Sequence, residues 1–300
     1  MEAINMAGSV MTAPSADTKY LFSRLIDISH KKYIDLESFL PWDLGVDKSR
    51  PPKLMGQLWI HGTEWADQLS EEQKLETAWL ETARDASMFI HLEHVIPTVY
   101  AGYVNDYRES LDPLVYEYLM IFAREELTHI MAFHRYLKTS ELPWFPRPGS
   151  YAALSVQLPK MRPEVGILFT LLIEWTAELA VMHGTQSDTV DPLTRNLFRE
   201  HHAEELRHIA FGKKIGEEYF ERASEAEAEQ ARAHLGKLMQ GLHRVYNYNP
   251  DIARYTSFRF PIQPEDEAEI NAVQTSEANL ALNAVRFKQI NDWCGTLKII

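Results

Sequence analysis

The chain has 300 residues, 45% hydrophobic and 24% charged, enough for one large domain or two small ones with a substantial core. Its net charge of −13, with no basic patch, argues against a nucleic-acid partner. Its one cysteine, Cys294, rules out an internal disulfide framework or a CxxC centre and fits the reducing cytoplasm.

The opening residues, "MEAINMAGSVMTAPSAD", lack the basic start and long apolar run of a signal peptide. Residues 1–18 are expected to form a disordered tail, and 19–300 a single domain with its core bundle over about 71–222. A short helix is predicted near 20–32. The Pro-rich passage "FLPWDLGVDKSRPPKLMG" then reads as an extended arm over the domain surface. Ser70 and Gln73 form a capping box that opens a long helix from 71 to about 106, bent near Pro97. A second helix opens at Asp112-Pro113 and runs to about 138. "TSELPWFPRPGSYAALSVQLPKMRP" is a proline-broken connection. A very apolar third helix spans about 163–186, though no uninterrupted apolar run reaches the roughly 18 residues of a membrane span. The fourth opens at Asp191-Pro192 and ends near 221, the fifth covers about 225–246, and a sixth about 265–293 after a loop. Strand signals are nearly absent, so the class is all-α, a bundle.

The second and fourth helices repeat each other. "DPLVYEYL" opens one and "DPLTRNLF" the other, and each carries Glu-x-x-His at the same depth: Glu126 and His129, Glu205 and His208. A step of three residues keeps both side chains on one side of a helix. Glu126 and His129 share theirs with Leu119, Phe122, Ala123, Ile130 and Phe133, which is a core face. A lone ExxH usually belongs to a surface salt-bridge network. Two on apolar faces are costly unless something compensates them, and a pair of divalent cations would.

A carboxylate-bridged dimetal site also needs a glutamate from each of the other two helices. Glu93 in the first helix lies among Phe89, Ile90, Ile96 and Pro97, whereas Glu71, Glu76 and Glu81 have more polar company. In the third, Glu174 and Glu178 compete. Glu93 precedes Glu126 by 33 residues, Glu174 precedes Glu205 by 31 and Glu178 by 27, so the matched spacing favours Glu174. Glu178 then orients a ligand, or is itself the ligand. His201 lies seven residues before His208, within about 20° of its face, and is the candidate for an additional ligand; the bland alternative is a core histidine bonded to a nearby carboxylate. His202 is about 120° away and, like Glu204, is expected to meet neighbouring groups. Phe122, Phe133, Leu171 or Phe169 would line a dry cavity beside the metals. Four carboxylates and three imidazoles without thiolate suit two Fe ions, with Mn possible, better than zinc. No flavin or nicotinamide motif is present, so electrons must come from an external reductase or reductant.

The order Glu93…Glu126-x-x-His129…Glu174…His201-x-x-x-Glu205-x-x-His208 resembles the ferritin-like diiron oxygenases related to p-aminobenzoate N-oxygenase, as does the segment "WIHGTEWADQLSEEQKLETAWLE". The extra histidine, here His201, is the most specific part. The resemblance implies a ferritin-like four-helix bundle with additional helices and an extended N-terminal arm. It implies O2 as co-substrate and oxygen transfer to an amine nitrogen, giving hydroxylamine, nitroso or nitro products, without fixing the substrate; the first expectation is a small aromatic amine in specialised metabolism. Two other functions stay open: a diiron C–H hydroxylase or desaturase of a carrier-bound or apolar substrate, which would use the same ligands, and a non-enzymatic iron-handling bundle of the ferritin class. No membrane partner is expected, and a homodimer is the default assembly.

Overall fold

The computed structural model describes residue 9 and residues 11–300. Helix α1 (Ala16–Lys31) starts where Ser15 Oγ accepts from the Thr18 amide. Of the tail expected over 1–18, residues 1–8 and 10 lie outside the described residues. The rest does not trail free: Ser9 and Met11 are buried, and the Ser9 hydroxyl donates to the buried Glu164 carboxylate, which would otherwise lack that donor.

One turn of helix, α2 (Glu64–Asp67), precedes α3 (Glu71–Glu93), which opens in the predicted Ser70/Gln73 capping box. The predicted bend falls at His94, between α3 and α4 (Val95–Tyr107). Pro97 has no N–H for the carbonyl four residues back, that of Glu93, and its ring crowds that carbonyl. The helix therefore breaks directly after Glu93. Helices α5 (Pro113–Thr139), α7 (Pro163–Thr185) and α8 (Pro192–Arg222) all have proline at their start, and Asp112 and Asp191 cap α5 and α8 through side-chain oxygens. The proline-broken connection holds a two-turn helix, α6 (Gly149–Gln157), that was not foreseen. Helix α9 (Glu225–Val245) has its own capping box. The single sixth helix expected over 265–293 is three: α10 (Glu267–Gln274), α11 (Glu277–Arg286) and α12 (Lys288–Thr296). Asp266 and Ser276 each accept an amide three residues on, so α10 and α11 start as separately capped pieces. No strand occurs among the described residues.

Helix α3 packs on α5 and α7 on α8; contacts of α3 with α7 and of α5 with α8 close the bundle. Helix α1 lies across α5 and α8, and α9 covers α7. The α7–α8 seam is the tightest. A Cβ on Gly212 would meet Leu171 Cβ at 3.0 Å, and one on Gly216 would clash with the Leu168 side chain. By length and mean hydropathy, 1.7, α7 could cross a bilayer, contrary to the sequence expectation; 89% of that window is buried inside the bundle.

The Pro-rich arm does more than cross a surface. Leu40 and Trp42 are buried, and Lys53 reaches inward to place Nζ 2.8 Å from Asp85 and 3.5 Å from Glu81 on α3. The Leu54 amide donates to the Gly184 carbonyl and the Asp47 amide to Asp191 Oδ1, tying the arm to the facing ends of α7 and α8.

Candidate metal centre

Glu93 from α3, Glu126 and His129 from α5, Glu174 from α7, and His201, Glu205 and His208 from α8 are each at most 3% exposed. The interior around them is apolar and aromatic. Phe122 stacks on His208 at 3.6 Å between centroids, and Phe133 meets His201 edge-on at 4.8 Å. These two rings, expected to line a cavity, wall the polar cluster itself.

Candidate ligand atoms gather in two groups that share Glu205. One contains Glu93, His129, His201 and Glu205, and the other Glu126, Glu205 and His208. His201 Nε2 lies 3.0 Å from Glu93 Oε1 and 3.3 Å from Glu205 Oε1. His129 Nδ1 is 3.2 Å from Glu205 Oε1. His208 Nδ1 is 3.0 Å from Glu126 Oε1 and 3.3 Å from Glu205 Oε2. Glu174 stands outside both groups, and both its oxygens are buried with no hydrogen-bond partner. Both oxygens of Glu126, Glu93 Oε2 and His129 Nδ1 are likewise without hydrogen bonds; the short His208–Glu126 approach lacks hydrogen-bond alignment. Buried polar atoms are rarely left so. Their concentration at one point, on side chains that are all metal-ligand types, fits a pair of cations.

Electrostatics agree. Burial pushes the Glu126 carboxyl up to about 7, helped by Glu205, and burial followed by Glu126 and Glu205 raises Glu174 further. Burial also raises Glu93, against the pull of His201. Glu205 goes the other way: despite burial, His208 and His129 hold it well below the carboxylate range. Burial and His129 lower His201, but Glu178 and Glu93 outweigh them and hold it at about 10. Without cations the cluster stores protons; divalent metals would take their place.

Around these seven lies a second ring. His129 Nε2 donates to Glu204 Oε2 at 2.8 Å, and His208 Nε2 donates to Glu125 Oε2 at 2.9 Å. Each imidazole is thus anchored by a carboxylate from the opposite helix and turns Nδ1 inward. Glu178 lies on the outer side of His201, with Oε1 2.7 Å from Nδ1, while its Oε2 accepts from His202 Nδ1 at 2.6 Å. Glu178 thus lies between His201 and His202, and its Oε1, like both oxygens of Glu174, has no aligned hydrogen bond.

Sequence reasoning missed Glu125. Its signal was present: Glu125 and Glu204 each lie 13 residues after their capping aspartates, so the repeat is Glu-Glu-x-x-His. Arg207 adjoins His208 in the chain. It turns from the seven, but it is buried and pairs with Glu125 at 2.9 Å and Glu204 at 3.4 Å. Glu81, set aside for its polar company, is buried as well, with Lys53 and the Trp59 amide as partners in a separate cluster.

A buried cluster of carboxylates and imidazoles from α3, α5 and α8, with Glu174 of α7 buried near it, is the kind of donor set that holds metal inside helical bundles. The chain belongs to the P-aminobenzoate N-oxygenase AurF family, whose model matches residues 15–284, nearly the whole length. It is accordingly a diiron N-oxygenase type of oxidoreductase. No curated protein gives a significant match.

Proposed function

We propose that the chain is an O2-dependent diiron enzyme that oxygenates the nitrogen of a small aromatic amine. In this reading Glu93, Glu126, His129, Glu174, His201, Glu205 and His208 would hold two Fe ions, with Glu205 common to both ligand groups. Glu174 closes the second group, since its unpartnered oxygens come from the helix opposite His208. The oxygen-rich, thiolate-free donor set favours iron, with manganese as the competitor. The bound metals supply O2 reduction, and the protein supplies position and dryness. Four ligand carboxylates balance the four positive charges of two divalent cations, so the loaded site is near neutral inside a low-dielectric core.

The residues present do three things. Glu204 and Glu125 hold His129 and His208 in the tautomer whose inner nitrogen is free. Phe122, Phe133 and Phe89 exclude water from the imidazoles; Phe89 lies 4.8 Å from His201 edge to face. Glu178 can take the His201 Nδ1 proton while leaving Nε2 available. A separate reductant must deliver electrons. We further propose a homodimer: Tyr116, Met120, Leu127 and Met131 are exposed on one stripe of α5.

The observation that carries this reading is the pair of ligand groups sharing Glu205 in a chain that belongs to this family. Mass spectrometry of products from an arylamine panel, with chemically reduced protein and O2, tests it. Oxygen incorporation at nitrogen is the expected result. Products oxygenated only at carbon, or desaturated, would overturn it.

A further inference from the structure

One buried cation is tied to both histidine anchors. Glu125 and Glu204 come from different helices and serve different imidazoles, yet both reach Arg207. Nη2 of Arg207 lies 2.9 Å from Glu125 Oε1, 3.4 Å from Glu204 Oε1 and 3.3 Å from the Lys32 carbonyl. Nε donates to Ser29 Oγ at 2.8 Å and Nη1 to the Ala203 carbonyl at 3.1 Å. The Ile34 amide donates to Glu204 Oε1 at 2.9 Å, and Arg124 Nη2 to the Ser29 carbonyl at 3.2 Å. The last turn of α1 and the residues just after it thus close over the guanidinium.

The arrangement is asymmetric where the helix repeat is symmetric. Arg207 lies two residues after Glu205; the matching position after Glu126 is Thr128, which donates only to the Arg124 carbonyl of its own helix. Arg124, half exposed, also approaches Glu125 Oε1 at 3.4 Å, but Arg207 is the guanidinium that reaches the anchors of both copies of Glu-Glu-x-x-His. A planar fork with five donors can span two carboxylates and two backbone carbonyls, which an ammonium cannot do in one geometry. A buried ion triad is weak as a source of stability, because desolvation offsets much of the attraction. What this one does achieve is a fixed orientation of two carboxylates, each of which fixes an imidazole.

We propose that Arg207 is a positioning residue for both metals at once: it sets Glu125 and Glu204, and through them which nitrogen His208 and His129 present to the site. The inference rests on the dimetal reading above. It makes the two metal positions coupled through the protein at a place outside the ligand set, and it gives α1 a part in that coupling.

The test is equilibrium binding of Co(II), whose visible absorption reports the coordination of each position, to metal-free wild type and to Arg207→Gln, Arg207→Lys, Glu125→Gln and Glu204→Gln. Removing such outer partners costs about 10–100-fold in metal affinity. The expected pattern is that Glu125→Gln perturbs the spectrum and affinity of one position, Glu204→Gln those of the other, and Arg207→Gln both. Arg207→Lys should fall between wild type and Arg207→Gln at both positions; it also carries the test alone should Arg207→Gln fail to fold. A residue that merely stabilised α1 would shift the melting temperature and leave the folded protein's Co(II) spectrum unchanged. Wild type that fails to bind two Co(II) would overturn the dimetal reading itself. Wild type that binds two, with Arg207→Lys unchanged within twofold at both, would overturn this inference alone.

Discussion

At its two ring nitrogens His201 meets different partners, Glu93 and Glu205 at Nε2 and Glu178 at Nδ1. Its chain neighbour His202 meets only Glu178 and is partly exposed. The two should therefore respond differently to truncation. His201→Ala is expected to lower bound iron below two per chain and to change the visible spectrum of the loaded protein, whereas His202→Ala should retain both irons with affinity loss within about 10–100-fold. Metal analysis after dialysis checks this, and equal losses would mean the wrong imidazole has been assigned. The same assay separates Glu174 from Glu178. Glu174→Ala should lose at least one iron per chain, and Glu178→Gln should keep both more weakly. Helical angles bring His201 and His208 to one face, because seven residues return nearly to the same direction, and both lie in the buried cluster. Those angles could not reveal Glu125, since nothing in a single ExxH marks the residue before the glutamate as an anchor for a histidine on another helix.

The helices deliver these side chains through a few contacts that local sequence does specify and a few that it does not. Capping at Ser70, Asp112 and Asp191 sets where α3, α5 and α8 begin, and hence the depth of their ligands. Those starts were legible because a cap is a local event. The α7–α8 seam depends on the missing Cβ of Gly216. Gly216→Val should push Leu168 off its position and cost about 1–3 kcal/mol by overpacking, read as a lowered midpoint in chemical denaturation. The arm was read as surface chain because prolines and charges dominate it. Its Lys53 nonetheless pairs with Glu81 and Asp85 in the core, Arg84 sharing Asp85, a pairing between segments about 30 residues apart that no periodicity encodes. Lys53→Ala should cost about 3–5 kcal/mol by leaving buried Glu81 without its ion-pair partner, while Asp85 keeps Arg84, and Lys53→Arg should cost much less. The segment of about 265–293 was misread as one helix for a related reason: Ser276 is an ordinary helix residue in composition, and only the hydrogen bond it accepts from the Asn279 amide makes it a new start.

The molecule as a whole surrounds a cluster of buried carboxylates and imidazoles with apolar packing, and bound cations would take the place of the protons that otherwise compensate it. Metal removal should therefore destabilise the entire bundle, not only the site. Saturation at 100 times the dissociation constant adds about 2.7 kcal/mol for one ion by mass action, so metal-free protein should melt several degrees below the iron-loaded form in calorimetry. The all-α class and the four bundle helices were legible from apolar spacing, since the core is built from amphipathic faces. The outer layers, α6 and α10 to α12, were not, because their short helices are set by single caps and by what they cover. The central claim is that two cations lie between α3, α5, α7 and α8, one in each ligand group. Anomalous diffraction at the iron edge from crystals of iron-loaded protein tests it most directly. Two peaks are predicted, with Glu205 touching both and Glu174 touching one. A single peak, or iron found away from Glu93, Glu126, Glu174 and Glu205, would contradict it.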